Sequence, residues 1–399
     1  MNLTAWIFAA LAAGLGFGLA FPSAATPLGV LGDIFLRLIT SIIAPLMFAS
    51  LVVGIARAGN VRSMGRIGVK ALVIFQVLTT LALFIGAGAA LLVKPGAGVN
   101  TFGANAAAVP QSAATLADFL KSPFPTSIVD AMARGDVLQI VVFAMLFGFA
   151  CAAIGPAAEP VVRVCESLAE VMFRYTHYAM YVAPLGIFGA VASSVGSKGA
   201  SVLFSLGALI LTLYAALLVF VVVVLGVLAK IIRLPLRRFF VLVREPFMIA
   251  FSTTSSNVAL PLALENMEKL GVPRHIAAFT LPASMSFNTT GSCLFIGLAA
   301  VFCAETSGVT LPMGTVLLMV LTLMLTTKGI GAVPRGSLVI LAGTLTSFGL
   351  PLEGVALILG VDQLMDMART GVNMLGHCLA TAAVARWEGV DLPATEAGS

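Results

Sequence analysis

Charge is scarce in this chain. Of 399 residues, 22 are Lys or Arg and 17 are Asp or Glu, so charged residues make up 10% against 60% hydrophobic. A soluble domain carries roughly 25% charged residues, and the deficit excludes a water-surrounded globule of this length. With a mean hydropathy of +1.08 the chain reads as an integral membrane protein. There is no CxxC pair. The five cysteines, Cys151, Cys165, Cys293, Cys303 and Cys378, lie in apolar runs and are expected as buried free thiols. Neither a GxSxG elbow nor an HExxH pair occurs, which removes the signatures a membrane hydrolase would need. The first apolar run, 3–21, lacks a basic n-region and reads as a membrane helix rather than a cleaved signal. A net charge of +5 and a pI near 9.1 do not indicate nucleic acid, because the basic residues cluster between apolar runs.

What is present is a series of runs near the 20 residues needed to cross a bilayer. They fall at 3–21, 34–56, 69–93, 125–155 with breaks, 160–195 and 200–232. Residues 94–120, rich in Gly, Ala and Asn, read as an exposed loop. Arg57, Arg62, Arg66 and Lys70 follow the second run, and Lys230, Arg233, Arg237, Arg238 and Arg244 follow the sixth, while 22–33 has no Lys or Arg. The positive-inside rule then places both termini in the cytoplasm and the 94–120 loop outside. Beyond residue 240 the pattern changes. The polar knot Ser252–Asn257 interrupts 246–270, and Thr326–Ser337 separates two apolar arms within 312–350. Each predicts two half-membrane helices meeting at a polar tip, since irregular backbone at membrane depth is tolerated only inside protein or along a cavity. Between them the run 276–303 is interrupted at Ser286–Ser292, and the last run spans 354–385.

That last run holds the most informative residues. Asp366, Arg369, Asn373 and His377 recur at spacings of three and four and share one helix face, with Asp362 one turn earlier. Leu364, Val372, Leu375 and Leu379 fill the opposite face. Ionisable groups in a membrane span are costly and face a cavity or a partner, so the row marks a site. Asp366 and Arg369 have an alternative use as an internal ion pair. His177 and His275 sit at run ends, and Glu265, Glu268 and Lys269 form a solvated face.

Taken together, PLMFASLVVGIA, STTSSNVALP, FTLPASMSFNTTGS, KGIGAVP and DMARTGVNMLG resemble the glutamate transporter homologues, the dicarboxylate/amino acid:cation symporters, in order and over nearly the whole chain. The resemblance implies an all-α membrane protein of the elevator type: eight transmembrane helices plus two re-entrant helical hairpins, assembled as a homotrimer in the cell inner membrane. It implies scaffold helices at 1–68 and 123–200, and transport-domain parts at 69–122 and 201–240. The first hairpin is then 241–271, the interrupted helix 272–310, the second hairpin 311–352, the last helix 353–388 and the tail 389–399. By the same resemblance Arg369 holds the side-chain carboxylate of a small acidic substrate, and Asp366 receives its amino group. Thr370, Asn373 and Ser292 add polar contacts. Ser255, Ser256 and Asn257 meet the main-chain carboxylate, with half-helix capping as their alternative use. Val333 and Pro334 form the closing tip.

The cation positions depart from the family. Its Asn-Met-Asp-Gly-Thr is here Asn288-Thr289-Thr290-Gly291-Ser292, so Thr290 replaces a sodium-ligating aspartate. His377 stands where sodium-coupled members carry another aspartate, and Gln76, beside Thr79 and Thr80, where they carry a tyrosine. Asn288 and Asn373 remain as oxygen ligands if sodium is retained, and Asp362 is a further candidate for the coupling cation. Proton coupling or sodium-independent exchange is therefore expected, with His377 as the titrating group or as a core hydrogen-bonding residue. Lys328 and Arg335 add positive charge near the second tip, replacing a cation, binding a second carboxylate or reaching solvent. No organic cofactor is expected, only Na+ or H+. The expected function is symport of aspartate or glutamate, with C4-dicarboxylate transport and anion conduction as alternatives. Catalysis is not expected.

Overall fold

A computed structural model describes residues 3–56, 61–97, 124–198, 201–309, 311–328 and 336–392. The described residues are helical throughout, with no strand among them. The first half contains α1 (Leu3–Ala20), α2 (Pro22–Ala25), α3 (Gly29–Ala56), α4 (Val61–Val93), α5 (Ile128–Arg134) and α6 (Val137–Ile154). The 40-residue α7 (Glu159–Lys198) follows, then α8 (Ser201–Val219), which runs through a π-helical turn at Phe220–Leu225 into α9 (Gly226–Ile231). The second half contains α10 (Leu236–Thr253), α11 (Ser256–Leu270), α12 (Arg274–Phe287), α13 (Thr290–Thr306), α14 (Met313–Thr326), α15 (Gly336–Ser347) and α16 (Glu353–Trp387).

Local chemistry accounts for the helix ends. Ser127 accepts from the Asp130 N–H to start α5, and Gly135, with φ +70°, stops it. Asp136 accepts from Gln139 N–H at 3.3 Å and starts α6. These are side-chain caps and a left-handed C-terminal glycine in their usual places. Two helices begin earlier than the apolar runs imply. α4 starts at Val61 rather than 69, and α10 at Leu236 rather than 246. Lys and Arg are good helix formers, so helix continues into the polar border where hydropathy has already fallen.

Among the described residues four helical runs are long and apolar enough to cross a membrane: Arg66–Val93, Gln139–Met172, Phe204–Ile231 and Arg274–Thr306. The last is unlike the others, since 94% of its apolar window is buried inside the protein, against 28–44% for the rest. The outer helices turn apolar side chains outward. Phe204, Leu211, Leu218 and Val222, at spacings of seven and four, are all exposed along α8 and its π turn. An apolar exterior of this kind suits lipid, not water. All five cysteines are buried and free.

Packing is organised about α13 and α16. α1 and α3 each pack on α7, α4 lies along α13, and α16 touches α10, α12 and α13. The α4–α13 crossing is close enough to exclude side chains. A Cβ on Gly86 would lie 1.9 Å from the Leu294 carbonyl oxygen, and one on Gly297 would lie 2.6 Å from that of Leu83. Small residues at such crossings let helix backbones meet, the usual basis of packing in membranes. This crossing holds the break between α12 and α13 in the interior.

Candidate functional site

The break falls at Asn288 and Thr289, inside the expected 286–292 interruption. A helix that starts here leaves its first N–H groups without intrahelical acceptors, and in a buried setting something must take them. Asn373 of α16 does. Its Oδ1 accepts from Gly291 N–H at 2.8 Å and Ser292 N–H at 3.2 Å, and its Nδ2 donates to Ser292 Oγ at 3.0 Å. Gly291 permits this approach, because a Cβ there would lie 2.3 Å from the Arg369 carbonyl oxygen. Asn373 and Ser292, expected on substrate or sodium, thus meet each other. With both lone pairs of Oδ1 engaged by N–H groups, Asn373 does not offer that oxygen to a cation in this arrangement.

One turn below, Arg369 is fully buried. Its Nε donates to Asp366 Oδ1 at 2.8 Å and its Nη1 to Asp362 Oδ1 at 2.8 Å. Thr370 Oγ1 donates to Asp366 Oδ1 at 3.2 Å, and the guanidinium lies 4.3 Å from the ring centroid of Phe295. The internal ion pair is therefore formed, and it reaches two carboxylates rather than one. Arg369 Nη2 has no hydrogen-bond partner. A planar guanidinium anchored on two edges and stacked on a ring keeps a fixed orientation, which presents the remaining N–H groups in one direction. Sequence reasoning placed Asp362 near the cation residues. Its spacing of seven from Arg369, two turns of helix, was the available signal for the pair. Phe295 had no such signal.

Around Gly376 lies a second polar group. Asn288 Nδ2 donates to the Gly376 carbonyl at 3.3 Å, and a Cβ on Gly376 would lie 2.7 Å from Thr290 Oγ1. Asn288 Oδ1, Thr290 Oγ1 and His377 Nδ1 are buried without hydrogen-bond partners. Buried polar atoms left unpaired are costly, and each calls for a physical explanation such as a bound water or ion. Among the described residues no group of three His, Cys, Asp or Glu is placed to bind a metal ion.

On α4, Gln76 Nε2 donates to Thr80 Oγ1 at 3.3 Å, and Thr79 Oγ1 donates to the Phe75 carbonyl at 2.8 Å. Thr79 Oγ1 also accepts from Lys328 Nζ at 2.9 Å, which reaches the Phe287 carbonyl at 3.4 Å. At the other tip, Thr254 takes φ +53° and Ser255 heads α11 in extended conformation without a side-chain cap bond. A β-branched residue with positive φ is strained, which makes this a tight and costly turn. Ser255 and Ser256 are half-buried and Asn257 is exposed. The capping use of Ser255 is not realised. α10 reaches α16 through Phe247, whose ring lies 2.8 Å from where a Gly371 Cβ would be. Val333, Pro334 and Arg335 lie outside the described residues, as do Arg57, most of the 94–120 loop and the tail beyond 392. His275 is exposed, and Lys269–Glu265 at 2.7 Å and Arg274–Glu268 at 3.7 Å form the solvated face.

The family model described as the sodium:dicarboxylate symporter family matches residues 3–387. The chain is 39% identical over 388 residues to a proton/glutamate-aspartate symporter of Bacillus subtilis (strain 168), covering 96% of this chain and 94% of that protein. It is 40% identical over 369 residues to the proton/glutamate-aspartate symporter of Escherichia coli (strain K12), covering 90% and 84%. Identity is also 40%, over 391 residues, to a C4-dicarboxylate transport protein of Anaeromyxobacter sp. (strain K), covering 96% and 89%. A match over almost the full length, joined to a broken buried helix against a charged one, makes the conclusion plain: the chain belongs to the sodium:dicarboxylate symporter family, cation-coupled membrane transporters rather than enzymes.

Proposed function

We propose that this protein is a secondary active symporter of aspartate or glutamate, driven by protons in preference to sodium. The observation that carries this is Arg369, buried on Phe295 between two aspartates with Nη2 unpartnered. A buried guanidinium changes partners at lower cost than it loses them, since breaking a buried pair outright costs about 3–5 kcal/mol. The substrate's side-chain carboxylate takes Nη2 and displaces an aspartate. Asp366, released in part, receives the substrate ammonium. The main-chain carboxylate is met by Ser255, Ser256 and the first N–H groups of α11, a helix N-terminus suited to an anion. Val333 and Pro334 then close the site.

The coupling ion enters around Gly376. Thr290 and His377 supply no negative charge to offset sodium dehydration, which leaves a proton as the better guest. The names of the Bacillus subtilis and Escherichia coli relatives, proton/glutamate-aspartate symporters, support both halves of this reading. The architecture that goes with it is the eight-helix, two-hairpin elevator, trimeric, in the cell inner membrane with both termini cytoplasmic. A second reading, C4-dicarboxylate transport, is favoured by the engagement of Asp366 with Arg369 and Thr370, which leaves it little need of an ammonium. The name of the Anaeromyxobacter relative supports it too.

The test is uptake of labelled aspartate, glutamate and succinate into proteoliposomes, with sodium and pH gradients imposed separately. Aspartate or glutamate accumulation driven by an inward proton gradient without sodium is expected. Accumulation driven by sodium alone at constant pH would overturn the coupling. Asp366→Asn is expected to lose the amino acids and keep succinate; the reverse would reassign Asp366.

A further inference from the structure

Lys328 is used by none of this, yet its placement is specific. It follows α14, and its half-buried chain carries Nζ to two oxygens from distant parts of the sequence. One is Thr79 Oγ1 on α4, at 2.9 Å; the other is the Phe287 carbonyl at the end of α12, at 3.4 Å. Among the described residues no carboxylate forms an ion pair with Lys328. The compensation for its charge is dipolar. Phe287 ends α12, where unsatisfied carbonyls concentrate partial negative charge. Thr79 gives its proton to Phe75 and so turns a lone pair toward Nζ. A niche of hydroxyl and carbonyl oxygens at a broken helix end, with no anionic ligand, is the chemistry that holds a monovalent cation.

We propose that the Lys328 ammonium is a cation built into the chain, occupying by a covalent tether the oxygen-lined niche between α4 and the broken end of α12, so that this locus takes no cation from solution. Two consequences follow. α14 is pinned to α4 and α12 by a charge it carries itself. Any soluble coupling ion must act elsewhere, which within the proposed function is the group around Gly376. The niche itself does not depend on which acid is carried.

The experiment uses the full-length protein in nanodiscs and compares thermal unfolding midpoints in choline, sodium, lithium, potassium and methylammonium chloride at equal ionic strength. Lys328→Ala opens the niche, and Lys328→Met fills it without charge. Wild type is expected to show the same small differences among the salts as Lys328→Met. Lys328→Ala is expected to unfold several degrees lower in choline and to regain much of the loss in methylammonium or one alkali cation. If Lys328→Ala does not accumulate, Lys328→Ser carries the same comparison. Destabilisation that no cation relieves, or equal salt responses in wild type and the small variants, would overturn the proposal. Binding of aspartate, glutamate and succinate, measured on the same samples, separates this outcome from a failure of the proposed cargo.

Discussion

Asn373 shows how much can depend on one amide. It takes two N–H groups of α13 and gives one hydrogen to Ser292, so a residue of the last helix does the work of a local N-cap. Losing an N-cap costs about 0.5–2 kcal/mol, and burial of the freed N–H groups pushes this site to the upper part of that range. Asn373→Ala is therefore expected to lower stability by about 2 kcal/mol, read as the unfolding midpoint in detergent or nanodiscs. Asn373→Asp keeps the acceptor and is expected to lose less. Equal losses would mean that the donated hydrogen bond to Ser292 matters more than the cap. The neighbouring charges follow another rule. Arg369 is held by residues on its own helix, three and seven positions away, with Phe295 of α13 against its face.

Among the elements, the α4–α13 crossing is the least forgiving. With a Gly86 Cβ position 1.9 Å from a backbone oxygen, relief requires moving one helix rather than one side chain. Overpacking a well-filled interior typically costs about 1–3 kcal/mol, and Gly86→Val should reach or exceed the top of that range. The measurement is yield and unfolding midpoint, with Gly88→Val, where nothing lies near the added Cβ, as the control. Neither contact was visible in sequence, because a glycine in an apolar run says nothing about what it faces. Other features were legible. The break at Asn288, the knot at Thr254–Ser255 and the row from Asp362 to His377 all stand out as polarity where apolar residues are expected, and the helices turn or carry charge there. What could not be read was pairing across distance. Lys328 and Thr79 are 249 positions apart, Asn373 and Gly291 82, and periodicity carries no information about either. The early starts of α4 and α10 were missed for a different reason: hydropathy reports lipid contact, whereas helix persists in water.

At the scale of the whole molecule, the start of α4 is fastened to the end of α16. Glu388, just past α16, forms ion pairs with Arg66 and with Lys70, the latter at 2.7 Å; Lys70 also donates to the Trp387 carbonyl and lies 5.5 Å from its ring centroid. The Lys70 ammonium in particular, helped by Arg66, holds the Glu388 carboxyl below its ordinary value. A depressed carboxyl stabilises the fold above the ordinary carboxylate value of about 4.3 and loses that contribution as pH falls through the folded value. Wild type should accordingly lose stability below about pH 4.3 more steeply than Glu388→Gln, in unfolding midpoints followed against pH. Parallel profiles would remove Glu388 from that role. The clasp also has a meaning in time. Arg66 is made 322 residues before Glu388. At about 5–20 residues per second the ribosome needs roughly 15 to 65 s to span that interval. Throughout it the basic start of α4, with Arg66 and Lys70, is without the acid it later pairs with. The acid that meets it is made only after the last residue of α16, so this contact closes after every described helix has been synthesised.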